Sequence, residues 1–302
     1  MLETAVSILV ALLVFCVIVF VHELGHYAAG RFFGFRILDF SIGMGPVLFQ
    51  KERKGIKYSL RALPLGGACL FYGEDAAVGS GGFNSHPPWK RILVIAAGPV
   101  MNVVFALFLA AVSLMAYGEY VAAVDSFIPE RPLAQESGME AGDILYAVDG
   151  RRVEFYSQAT ERIQAGDPER AIVTVRRDGE LVDITVNGLY DEAAGRNYLG
   201  INIKPVRYHY GVFAAIAGSF RFVGSVISEM LAFLGGIFTH GVQQGDVAGP
   251  VGTIAVIGQA VRMGFEMVLY IGILIGVNLA IINLLPFPAL DGGRLVFLPG
   301  AS

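Results

Sequence analysis

His22-Glu23-Leu24-Gly25-His26 closes the first long apolar run of the chain. Histidines four residues apart on a helix lie one turn apart on the same face. That spacing lets both imidazoles ligate one zinc ion, with Glu23 beside it as general base. An ionisable cluster at the edge of a hydrocarbon segment is costly, and so points to function. The motif alone also fits two interfacial histidines bonded to backbone or headgroups, with Glu23 solvated. Asp291 changes the balance. It follows an apolar segment with no acid after Glu266, just past Pro286 and Pro288, which disrupt the helix behind them. Two histidines and one carboxylate leave zinc a fourth position for water, the pattern of catalytic zinc.

Those residues need a membrane scaffold. The 302 residues are 55% hydrophobic and 16% charged, against about 25% charged in soluble proteins. A net charge of −4 gives no support for nucleic-acid binding. Cys16 and Cys69 form no CxxC pair and read as small apolar filler. Residues 5–21 are free of charge, follow Glu3 rather than a basic start, and precede no cleavage site, so they read as a transmembrane helix over 5–29 and not a signal peptide. Residues 92–117 and 265–285 are the second and third clear spans. Residues 211–238 are apolar but carry Arg221 and Glu229, which favours an amphipathic helix on the outer leaflet. Residues 27–91 hold nine Lys/Arg against four acids, and 118–210 hold ten against sixteen. The positive-inside rule then puts 27–91 in the cytoplasm and 118–210 outside. Since 265–285 must end on the side of His26, 211–264 crosses an even number of times, zero being simplest. His86, His209 and His240 fall in loops or at interfaces and read as non-catalytic.

Residues 37–72 alternate apolar and polar and are broken by Gly43, Gly45, Pro46, Gly55, Pro64, Gly66 and Gly67. They read as a β-hairpin turning near Lys54-Gly55, with an open edge that could pair with an extended peptide, or else as an ordinary cytoplasmic loop. Gly43 and Gly45 are candidate substrate-binding positions within it. Residues 119–206 show strand-like runs at 120–124, 144–148, 172–176, 181–186 and 199–203, and a helical stretch at 153–164. Gly142-Asp143 and Asp149-Gly150 supply turns. The segment resembles bacterial PDZ domains, which implies a peptide or substrate ectodomain as ligand, added along a groove at Leu199, Gly200 and Ile201. A spacer or size filter with no ligand is the plainer alternative.

Taken together, the His22–His26 motif, Pro64-Leu65-Gly66-Gly67, Gly98-Pro99-Val100-Met101-Asn102, the PDZ segment, Gly249-Pro250-Val251-Gly252 and the string from Asn283 to Gly293 resemble the site-2 proteases, within them the bacterial regulator-of-sigma-E-protease branch. The resemblance implies an intramembrane zinc metalloprotease of a bacterial inner membrane. His22, His26 and Asp291 would be ligands and Glu23 the base. Asn102, Asn283, Pro286 and Pro288 would accommodate substrate, and 37–72 would be a membrane-reentrant β-loop. Substrates would be single-span membrane proteins, such as trimmed anti-sigma factors or remnant signal peptides. The expected class is a mainly α membrane protein with three clear transmembrane helices, a reentrant β-loop and an inserted α+β PDZ domain. Its parts are 1–117, 118–206, 207–264 with interfacial helices, and 265–302. Family members continue into a fourth span where this chain ends at Ser302. Competing readings are a PDZ-bearing receptor with structural zinc and a zinc transporter. A transporter would want polar groups through the full membrane depth, whereas those here cluster at one end.

Overall fold

The computed structural model describes residues 2–74, 81–153, 156–192, 195–241, 250–288 and 290–296. Gly249 and the chain end at 298–302, both singled out in the sequence, lie outside these. The chain divides into two units, 1–113 with 211–302, and 114–210.

In the first unit, α1 (Leu2–Phe32) is an unbroken apolar helix. Gly34, at φ 80°, lets the chain turn back so that the Phe35 amide bonds the Gly30 carbonyl. Next come β1 (Ile37–Arg53) and β2 (Ile56–Phe71). Lys54 and Gly55 both have positive φ, the turn that matches strand twist in a two-residue hairpin. The register is unusual. Phe40 faces both Cys69 and Tyr58, and Ser41 faces both Ala68 and Ser59. β2 therefore curls around β1, holding the start of β1 between its two halves. The stretch 67–71 is left as an edge with no further strand beyond it among the described residues.

α2 (Pro88–Ala116) opens on a proline, whose missing N–H would have had no helical partner there. α5 (Val212–His240), α6 (Pro250–Met263), α7 (Phe265–Asn283) and α8 (Asp291–Val296) complete this unit, with labels counted along the whole chain. Ala106 and Ala110 of α2, Val223 of α5, and Ile273 and Val277 of α7 share one core.

Among the described residues four helices are long and apolar enough to cross a membrane: α1, α2 and α7, the three clear spans of the sequence, and α5. α5, which the sequence left between an interfacial helix and a span, keeps a mean hydropathy of 1.5 over its apolar window despite Arg221 and Glu229. α6, at 14 residues, is short for a span. Val14 lies near Gly272, while His22 lies near Asn283, so α1 and α7 run parallel. His26 meets Val94 and His22 meets Asn102, so α2 runs antiparallel to both.

The second unit contains β3 (Glu119–Phe127), α3 (Leu133–Glu136), β4 (Ile144–Val148), β5 (Arg151–Arg152), α4 (Gln158–Gln164), β6 (Arg170–Arg177), β7 (Glu180–Asn187), β8 (Tyr190–Asp191), β9 (Arg196–Asn197) and β10 (Ile201–Tyr208). Its main sheet runs β10-β3-β4-β6-β7, all antiparallel, over a core that includes Val124, Leu145, Val173, Val186 and Leu199. The last strand starts at Ile201, not at 199, because Gly200 has a φ of 72° and breaks the extended run. The helix is shorter than the stretch 153–164, with residues 154–155 outside the described set.

Candidate metal centre

The apolar face of α1 carries His22 and His26 into the protein, where both are buried. α7 ends at Asn283, and the chain turns through 284–290 into α8, whose first residue is Asp291. That return is tight. A Cβ on Gly292 would lie 2.3 Å from the Leu284 carbonyl oxygen, and one on Gly293 would lie 2.2 Å from that of Phe287. Only glycine allows this approach, which brings Asp291 back to the end of α1.

Three ligand atoms converge. His22 Nε2 lies 3.1 Å and His26 Nε2 3.3 Å from Asp291 Oδ2, and the two Nε2 atoms are 3.2 Å apart. Tetrahedral zinc with bonds of about 2.0–2.2 Å sets its ligand atoms about 3.3–3.5 Å apart. The observed triangle is close to one face of that tetrahedron. Lone pairs aimed at one another this closely repel unless a cation lies among them. A carboxyl group binds a metal as the carboxylate anion. The donor set and spacing fit zinc.

α2 presses on this centre through glycine. A Cβ on Gly98 would come 2.2 Å from His26 Nε2 and 2.9 Å from His22 Cε1, and one on Gly25 would come 2.3 Å from the Ala97 carbonyl oxygen. The two backbones touch here, and His26 Nδ1 donates to the Val94 carbonyl at 2.9 Å. Gly67 plays the same part in β2, where a Cβ would meet Glu23 Cγ at 2.7 Å. The sequence reading quoted these glycines without roles. Their signal is a glycine that follows an apolar stretch with no turn due.

Beside the centre is a cavity of about 350 Å³. Glu23, His22, His26, Asp291 and Asn283 line it, together with the edge stretch of β2 from Gly66 to Phe71. Cys69 lies on the same wall, where burial pushes its thiol up. Asn283 Nδ2 lies 3.3 Å from His22 Nε2. Arg294 and Glu74 form an ion pair at the cavity rim, tying the loop after β2 to the helix that carries Asp291. The sequence reading missed that pair, since nothing local links residues 220 apart.

Other expected substrate contacts fall elsewhere. Asn102 is completely buried against His22 and has no surface to offer a substrate. Pro286 and Pro288 do not line the cavity; they belong to the turn that brings Asp291 back. Gly43 and Gly45 are likewise off the cavity wall, at the bend of β1, where a Cβ on Gly43 would lie 2.6 Å from the Leu63 carbonyl oxygen. In the second unit, a groove of about 320 Å³ lies between α4 and the start of β10, lined by Thr160, Ile163, Leu199 and Ile201 among others. The Leu199 and Ile201 side chains belong to the core of this unit.

The model of Peptidase family M50 matches residues 10–299. Three similar bacterial proteins carry the name "Putative zinc metalloprotease". That of Fusobacterium nucleatum is 31% identical over 97% of this chain and 87% of its own length. That of Agrobacterium fabrum is 32% identical over 95% and 84%. That of Clostridium perfringens is 34% identical over 95% and 86%.

Proposed function

The chain belongs to Peptidase family M50, and from that premise we propose that it is a zinc metalloprotease cutting single-span membrane proteins within the bilayer. The observation that carries the reading is the triangle of His22, His26 and Asp291 with Glu23 on the wall of the same cavity. His22, His26 and Asp291 hold the ion, which when bound supplies Lewis acidity, acidifying water and polarising a carbonyl. Glu23 takes the proton of the attacking water and passes it to the leaving amine. The Asn283 amide donates toward the developing oxyanion.

A substrate helix hides its carbonyls and must unwind. Bare backbone groups cost several kcal/mol each in hydrocarbon. The β2 edge at 67–71 satisfies them by pairing with the unwound segment as an added strand. The exposed apolar side chains of the hairpin bend, Met44, Leu48, Phe49 and Leu63, support its dipping into the membrane as a reentrant loop. The second unit is read as a PDZ domain outside the membrane, with its groove at Leu199, Gly200 and Ile201 taking a peptide or substrate ectodomain. It acts as a gate against untrimmed substrates in regulated intramembrane proteolysis. The site faces the cytoplasmic side of a bacterial inner membrane, and anti-sigma factors and remnant signal peptides are the substrate class.

The test uses purified protein and a model single-span substrate. Cleavage is expected to stop with a chelator and return with zinc. Glu23→Gln is expected to keep zinc and lose about 10²–10⁴-fold in turnover. Undiminished turnover by that variant overturns the base assignment, and chelator-resistant cleavage overturns the metal mechanism.

A further inference from the structure

The two histidines of the centre are held in different ways. His26 Nδ1 donates to a main-chain oxygen, that of Val94, which any residue at position 94 would supply. His22 Nδ1 instead faces a side chain, the Asn102 amide, 3.2 Å away. For His22 to aim the lone pair of Nε2 at the ion, its proton must sit on Nδ1, and that N–H needs an acceptor. The Asn102 side chain is fully buried, and among the described residues its Oδ1 has no hydrogen-bond partner while Nδ2 faces the ring. A half-turn of the terminal amide exchanges the two atoms, whose identities are settled by hydrogen bonding and not by shape. The turned amide places an acceptor against the Nδ1–H and gives the orphaned oxygen its partner.

We propose that Asn102 is a positioning residue for the metal centre: its amide oxygen accepts the His22 Nδ1–H and so fixes Nε2 toward the ion. This rests on the metal site proposed above and replaces the substrate contact that the sequence resemblance implied for Asn102. The residue acts through His22 and touches neither substrate nor metal. α2 thereby serves both ligands of α1, one by backbone and one by side chain.

The experiment is zinc affinity of the full chain in detergent, by competition with a chelator, for wild type, Asn102→Leu, Asn102→Asp and His22→Ala. Leucine keeps the volume and removes the acceptor; aspartate keeps the acceptor and removes the donor. The expected result is a loss of about 10–100-fold for Asn102→Leu and near wild-type affinity for Asn102→Asp. Wild-type affinity in Asn102→Leu overturns the proposal. So does an equal loss in Asn102→Asp, which would mean that the amide hydrogen or packing matters. Should Asn102→Leu fail to fold, Asn102→Asp decides alone: retained zinc supports the acceptor role and lost zinc overturns it. If His22→Ala binds zinc as wild type does, the metal-site reading fails and this inference falls with it. Wild-type zinc in Asn102→Leu beside a weakened His22→Ala sinks this inference only.

Discussion

Asp291 and Asp143 are both shielded carboxylates, one in each unit, with side chains 15% and 1% exposed. Asp143 has its own cation. Arg177 meets it with both arms of the guanidinium, Nε to Oδ1 at 2.8 Å and Nη2 to Oδ2 at 2.7 Å, and the Glu140 amide adds a third bond. Asp291 faces two imidazoles instead, while Arg294, three residues on along α8, goes to Glu74. A carboxylate with a permanent guanidinium is a finished structural bond. One surrounded by imidazole lone pairs wants a positive charge that the chain does not itself provide. The difference separates a residue that holds a fold from one proposed above to hold a metal.

The sharpest way to break this contrast is to remove each carboxylate in turn. Asp291→Ala is expected to abolish cleavage and to weaken zinc by more than the roughly 10–100-fold typical of an outer-shell partner, as measured by metal analysis and chelator competition. Full zinc occupancy would take Asp291 out of the ligand set. Next is Gly98→Ala, which adds one methyl group against both imidazoles. It should cost at least about 10-fold in zinc affinity with helix content unchanged by circular dichroism. Unaltered affinity would mean that α2 gives way freely and does not shape the centre.

The smallest effect on the metal is expected from Asp143→Ala: none on zinc, and a melting temperature lower by several degrees. Acid should separate the regions further. Burial raises the Asp143 pKa, but the Arg177 bonds and the Glu140 amide outweigh it, and the net shift is downward. The pair's contribution to stability is thus complete above the unfolded carboxylate value of about 3.9 and fades as pH falls through the lower folded value. A melting profile of the wild type over that range, compared with Asp143→Ala, checks it. Equal acid sensitivity of the two proteins would remove the pair from the account.

Much of the scaffold could be read from local pattern. The charge-free runs of α1, α2 and α7 set the apolar helices, and Lys54-Gly55 set the hairpin turn. α5 was harder, because hydropathy alone does not separate a helix that crosses from one that packs along others. The glycine contacts at Gly25, Gly67 and Gly98 were invisible for a different reason: a glycine does not record which backbone will lie against it. Gly43 and Gly45 lie at the bend of β1, off the cavity wall, a placement that local sequence does not reveal.

The sequence by itself determined the chemistry on offer. Four-residue spacing on a helix puts His22 and His26 on one face wherever that helix goes, and an acid after a proline-broken apolar segment is costly enough to need a role. Tertiary structure alone decided the assembly: that Asp291, 269 residues from His22, closes the triangle, that Asn102 turns inward to His22, and that 67–71 becomes a strand edge on the cavity wall. Helical periodicity is written within a single turn of chain. The meeting of distant segments depends on how closely their backbones pack, and that is fixed only when all of them are folded together.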